Sequence, residues 1–125
     1  MKARLLIYIF LILAHCRIIA QPVFYDSTQR PEIYPLLKDQ FAAEPKSKSD
    51  IIFLGNSLTF WGRFNEMAGK KNIKNRGIPG DHTFGVLNRL TDIIKGKPAK
   101  LFLMIGINDI ARNFPDSIII RCTTY

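Results

Sequence analysis

Two short apolar stretches constrain this chain more than any other feature: Ile51-Ile52-Phe53-Leu54 and the run from Lys100 to Ile105, KLFLMI. The first is continuous rather than alternating, as expected of a strand buried on both faces, and the second is the clearest strand in the chain. Each passes directly into a glycine and polar residues, Gly55-Asn56-Ser57 and Gly106-Ile107-Asn108-Asp109. Helical spacing fills the interval. Phe60, Trp61, Phe64 and Met67 predict one helix that Gly69 stops. Asn72 to Arg76 predicts a short second strand. From His82 to Lys95, Phe84, Leu87, Leu90, Thr91 and Ile94 mark one face of a helix that Gly96 and Pro98 end. Pro115-Asp116-Ser117 opens another helix, in which Ile118 to Ile120 give way to Arg121-Cys122-Thr123-Thr124-Tyr125. Strand and helix alternating in this way predict an α/β fold: a parallel sheet with right-handed crossovers and helices on its faces.

The 125 residues suffice for one small domain, and the first twenty read as something else. Lys2 and Arg4 precede an unbroken apolar run from Leu5 to Ala14, and Ile18-Ile19-Ala20 leads to Gln21-Pro22. A basic start, an apolar core and a small residue at a polar junction predict a signal peptide over 1–20, and with it a secreted or periplasmic chain. The run is too short for a stable membrane span, since Arg17 interrupts it. Residues 21–49, punctuated by Pro22, Pro31, Pro35 and Pro45, form an irregular approach in which Leu36, Leu37 and Phe41 fit one short helix. Residues 50–125 carry the domain.

Removing 1–20 leaves 15 of the 18 basic residues against ten acids, a net +5 rather than +8. The excess lies mainly in Lys70 to Arg76 and Lys95 to Lys100. Neither cluster has the interleaved aromatic residues of a nucleic-acid surface, so no nucleic-acid partner is expected. Cys122, the one cysteine after residue 20, offers neither a disulfide framework nor a metal pair, and no cofactor is implied.

In an open parallel sheet, ligands bind beyond the carboxyl ends of the strands. Three glycine-containing loops fall there: Gly55-Asn56-Ser57, Gly77-Ile78-Pro79-Gly80-Asp81 and Gly106-Ile107-Asn108-Asp109. Ser57 has two readings. It is the N-cap of the next helix, or it is a nucleophile whose proton must be taken as it attacks an ester. Gly80, with no side chain, lets its N–H approach an oxyanion closely or simply turns the chain. Asn108 can offer an amide N–H to an oxyanion, a contact worth ~3 kcal/mol in a transition state, or can join Asp109 in capping a helix.

The stretches FLGNSLT, NRGIPGD and GIND, read together and in this order, resemble the first three signature blocks of the SGNH hydrolases, the GDSL esterase/lipase family, with sialate O-acetylesterase-like proteins among them. The resemblance runs from about residue 50 to 120. It implies a flavodoxin-like three-layer α/β/α fold, here with about three parallel strands, and a serine ester hydrolase acting on an acylated carbohydrate or lipid. It implies Ser57 as nucleophile and oxyanion N–H donor, Gly80 as a second N–H donor and Asn108 as a side-chain donor. Where the family has Gly-Asp-Ser-Leu, this chain has Gly55-Asn56-Ser57-Leu58.

The family's Asp-x-x-His block, source of the general base, has no counterpart in this sequence. The one histidine after residue 20 is His82, expected as a solvent-facing first-turn residue rather than a base, and Asp81 and Asp109 are expected as caps. The expectation is therefore a C-terminally truncated hydrolase, with an inactive fragment or a carbohydrate- or phosphate-binding module as alternatives. A sheet left partly uncovered also invites self-association.

Overall fold

A computed structural model describes residues 25–124; the expected signal peptide lies outside them. The three strands are β1 (Ile51–Gly55), β2 (Ile73–Gly77) and β3 (Lys100–Met104). They form one parallel sheet in the order β2-β1-β3. Around it run α1 (Tyr34–Ala43), α2 (Ser57–Phe60), α3 (Phe64–Ala68), α4 (Thr83–Lys95), α5 (Ile107–Ala111) and α6 (Asp116–Thr123). The fold is the expected α/β class, a parallel sheet flanked by helices.

Strand pleating explains the layers. Ile52 and Leu54 point to one face, where they pack with Val86 and Ile93 of α4. Phe53 points to the other and stacks between Phe64 of α3, with ring centroids 4.1 Å apart, and Phe102 of β3, at 5.0 Å. Alternation at a period of two thus separates two apolar layers from one short run. A second cluster, Tyr34, Leu37 and Ile78 with Phe41 and Phe60 against it, seats α1 on the carboxyl side of the sheet.

Three sequence expectations change. The helix predicted from Phe60 to Met67 is two short helices, because Gly62 lies between them with the Phe64 ring where a side chain would stand. Gly69, in the left-handed region at φ 61°, does end the second. The buried face of α4 is offset from the predicted one: Thr83, Gly85, Val86, Arg89 and Ile93 are buried while Ile94 is 50% exposed. Counting only apolar residues misplaced that face, since it includes an arginine and a glycine. Finally, α6 continues through Thr123, past the point where the apolar pattern fades at Ile120.

The order β2-β1-β3 places a topological switch point beside β1. The chain leaves β1 toward β2 on one side and returns past β1 to β3 on the other. Loops after β1 and β3 therefore diverge and leave a crevice at the carboxyl edge of the sheet.

Candidate functional site

Register brings the three loops together. Gly55 pairs with Gly77 on one side and with Met104 on the other, so all three strands end in one row. Each polar loop begins within two residues of that row.

The first loop decides what Ser57 does. Asn56, not Ser57, is the N-cap of α2: its Oδ1 accepts from the Leu58 N–H at 3.0 Å. Ser57 Oγ makes no hydrogen bond to another described residue, so the capping role that competed for this serine is already filled. Because α2 is a single turn, its dipole adds little negative-charge stabilisation. The anchor of α2 is instead Asn75 of β2. Its Nδ2 donates to the carbonyls of Thr59, Phe60 and Gly62 at 2.7, 3.1 and 3.0 Å, and its Oδ1 accepts from the Gly77 N–H at 2.9 Å. One side chain thus satisfies the orphan carbonyls at the helix end and fixes the Ser57 turn to the neighbouring strand.

The second loop is held from several sides. Gly80 has φ +76°, a conformation that favours glycine. Arg112 Nη2 donates to its carbonyl at 3.3 Å, which orients the peptide, while its N–H donates to no described residue. The Asp81 carbonyl accepts from Asn108 Nδ2 at 2.7 Å. An amide group carries two N–H donors. One of those on Asn108 locks the third loop to the second, and the other remains for a ligand.

Beneath the loops lies a buried ion pair that the sequence reading missed. Arg89 is 3% exposed and Asp81 is fully buried. Arg89 Nε and Nη2 donate to Asp81 Oδ2 at 3.1 and 2.9 Å. Its Nη1 reaches the Arg76 carbonyl at 2.8 Å and its Nη2 the Gly55 carbonyl at 3.0 Å. A single guanidinium therefore ties the ends of β1 and β2 to the turn that carries Gly80. Burial pushes the Asp81 carboxyl up and the Arg89 guanidinium down from their ordinary values, and in each case the partner's charge opposes the shift. Gly85 is required here for close approach, because a Cβ at that position would occupy the space of Asp81 Oδ1. The legible signal was positional: Arg89 falls three residues after Val86 and four before Ile93, in phase with the buried face.

Asp109 is a cap, as expected, but across loops. Its carboxylate, fully buried, accepts from Thr83 Oγ1 at 2.6 Å and from the Thr83 N–H at 3.1 and 3.2 Å, so it caps α4 rather than its own helix. His82 corrects the sequence expectation outright. It is fully buried rather than solvent-facing. Its Nε2 lies 2.7 Å from the Gln29 carbonyl, an acceptor, so Nε2 carries the proton and donates. Its ring packs edge-on to Phe84 and Phe114, and Nδ1 has no partner among the described residues. His82 thus makes no hydrogen bond to Ser57. Among the described residues, no His, Cys, Asp and Glu side chains gather in a group of three that could hold a metal ion, and no helix is long and apolar enough to cross a membrane.

The edge of the sheet therefore presents one unengaged hydroxyl and three available N–H donors: the Ser57 backbone, the Gly80 backbone and the Asn108 amide. Such a set can stabilise a negatively charged oxygen.

No family model and no curated protein matches the chain. A solved structure from Streptococcus pneumonia, provisionally described as a platelet activating factor, is similar to it with a TM-score of 0.60 and 28% sequence identity. The similarity covers 72% of this chain and 42% of that one, so the chain spans less than half the length of this neighbour.

Proposed function

We propose that this chain carries the nucleophile and oxyanion site of an SGNH-type serine ester hydrolase. Ser57 Oγ would attack the ester carbonyl, and the resulting oxyanion would take hydrogen bonds from the N–H groups of Ser57 and Gly80 and from Asn108 Nδ2. The observation that carries this reading is the pairing of an unengaged Ser57 hydroxyl with a braced, donor-rich edge at the switch point. The similarity to a structure described as a platelet activating factor is in keeping with a hydrolase. Because no described residue accepts a hydrogen bond from Ser57 Oγ, the proton acceptor must come from elsewhere. The chain by itself is then a slow catalyst, limited to what an oxyanion site gives without a base.

Hydrolysis of a nitrophenyl acetate by the full chain, with and without added imidazole, tests this. Imidazole supplies the missing base. It should raise the rate of the parent chain well above that of the Ser57→Ala variant. Equal rates for parent and Ser57→Ala at every imidazole concentration would rule the nucleophile out.

A further inference from the structure

Asparagine is depleted in strands, yet Asn75 sits at the centre of β2, opposite Phe53 of β1. Its surroundings call for both ends of an amide. Nδ2 faces three carbonyls, those of Thr59, Phe60 and Gly62, and Oδ1 faces the Gly77 N–H. A carboxylate would lack the donors, and an aliphatic side chain would lack donors and acceptor alike. The amide serves a turn that cannot hold itself. α2 is closed by the Phe60 N–H on the Asn56 carbonyl at 2.9 Å and the Trp61 N–H on the Ser57 carbonyl at 3.1 Å. A lone turn is unfavourable, because its first hydrogen bond must fix three residues. Its position comes instead from β2. Asn75 holds its carbonyl end, and a Cβ on Gly77 would fall on the Phe60 nitrogen and the Asn56 carbonyl, so strand and turn meet backbone to backbone. The Ile78 N–H, donating to the Gly55 carbonyl at 3.0 Å, carries the contact on toward Gly80.

We propose that Asn75 is a positioning residue for ester hydrolysis: through α2 it sets the Ser57 hydroxyl and N–H at the distance from the Gly80 N–H that one oxyanion can bridge. This rests on the reading of Ser57 as nucleophile and of Ser57 and Gly80 as oxyanion donors. The two N–H groups belong to different loops, so something must fix one against the other. Arg89 braces the strand ends at the Gly55 and Arg76 carbonyls and makes no hydrogen bond to α2. Asn108 is placed separately, by the Asp81 carbonyl. Among the described residues, Asn75 is the side chain whose hydrogen bonds join the Ser57 turn to the strand that leads to Gly80. The oxyanion forms only as Ser57 attacks. A displaced donor therefore lowers kcat and leaves KM nearly unchanged. Misplacement by about 1 Å costs ~100-fold in rate.

Hydrolysis of nitrophenyl acetate by the full chain, at one imidazole concentration, tests this. Asn75→Asp keeps the shape and the acceptor for the Gly77 N–H but turns an oxygen toward the three carbonyls. Asn75→Ala removes both ends of the amide. Each should lower the Ser57-dependent kcat ~100-fold, with KM within about twofold of the parent. Ile93→Ala, a core change at the far end of α4, controls for lost stability and should keep kcat within about threefold. If neither Asn75 variant folds by circular dichroism, Asn75→Ser, with one hydroxyl for the amide, carries the same comparison, and a fall of at least ~10-fold is expected. A kcat no lower than that of Ile93→Ala, or a raised KM at unchanged kcat, would overturn the proposal. The two readings fail differently. Equal rates for parent and Ser57→Ala would remove the nucleophile and Asn75's role with it. An inactive Ser57→Ala beside Asn75 variants of parental kcat would remove the role of Asn75 alone.

Discussion

Replacing Arg89 by methionine removes the side chain that, among the described residues, joins the ends of β1 and β2 to the Gly80 turn. The variant keeps most of the volume and none of the charge. Asp81, fully buried, would retain the His82 N–H at 2.9 Å and lose both guanidinium contacts. The Gly55 carbonyl would still hold the Ile78 N–H at 3.0 Å, and the Arg76 carbonyl would lose its Arg89 donor. Breaking a buried ion pair from one side costs about 3–5 kcal/mol. A domain of this size has ~5–15 kcal/mol in total. With a urea dependence of ~1–3 kcal/mol per molar, the unfolding midpoint should fall by about 2 M. Arg89→Lys keeps the charge but not the fork, and should fall between. A pH series separates charge from packing. In Arg89→Met, burial alone raises the folded-state pKa of Asp81 above its unfolded value. The carboxyl then favours folding while protonated, and this contribution is lost as pH rises. The deficit of Arg89→Met relative to the parent should therefore shrink on going from pH 7 to about pH 4. A deficit below about 1 kcal/mol at pH 7, measured by urea unfolding, would refute the role given to Arg89.

Gly80→Ala forces a side chain into the left-handed region and sets its Cβ 3.4 Å from Pro31 Cβ; urea unfolding should show a loss of about 1–2 kcal/mol. Tyr34, whose hydroxyl donates to the Gly85 carbonyl at 2.6 Å, gives a second pH dependence. Burial first, and the Asp81 carboxylate second, raise its pKa above the ordinary 10.0. The neutral phenol is favoured in the folded state, so its contribution is full below about pH 10 and lost as pH climbs through the higher folded value. Tyr34→Phe should cost about 1 kcal/mol at neutral pH and flatten the alkaline loss of stability followed by circular dichroism.

The strands and the order of the loops were legible because they rest on local signals: continuous apolar runs, glycine stops and polar turns. Residues whose partners lie far along the chain were not. Arg89 looks like a solvated helix residue until its contacts to Gly55, Arg76 and Asp81 are known. Asn75 looks like an interruption of a weak strand until its amide is seen closing α2. His82 looks exposed because it starts a helix, and the aromatic pair Phe84 and Phe114 with the Gln29 carbonyl encloses it. Ser57 could not be resolved from its own loop, since Asn56 and Ser57 compete for the same capping position. The geometry gives the cap to Asn56.

The claim that Ser57, Gly80 and Asn108 share one oxyanion is tested most directly by a crystal structure of the chain after reaction with a methyl fluorophosphonate in imidazole buffer. The adduct on Ser57 Oγ places a phosphonyl oxygen where an ester oxyanion would develop. That oxygen should lie ~2.7–3.1 Å from the Ser57 and Gly80 N–H nitrogens and from Asn108 Nδ2. An adduct on another residue, or a Ser57 adduct whose oxygen faces solvent with Asn108 still turned wholly to Asp81, would contradict the account.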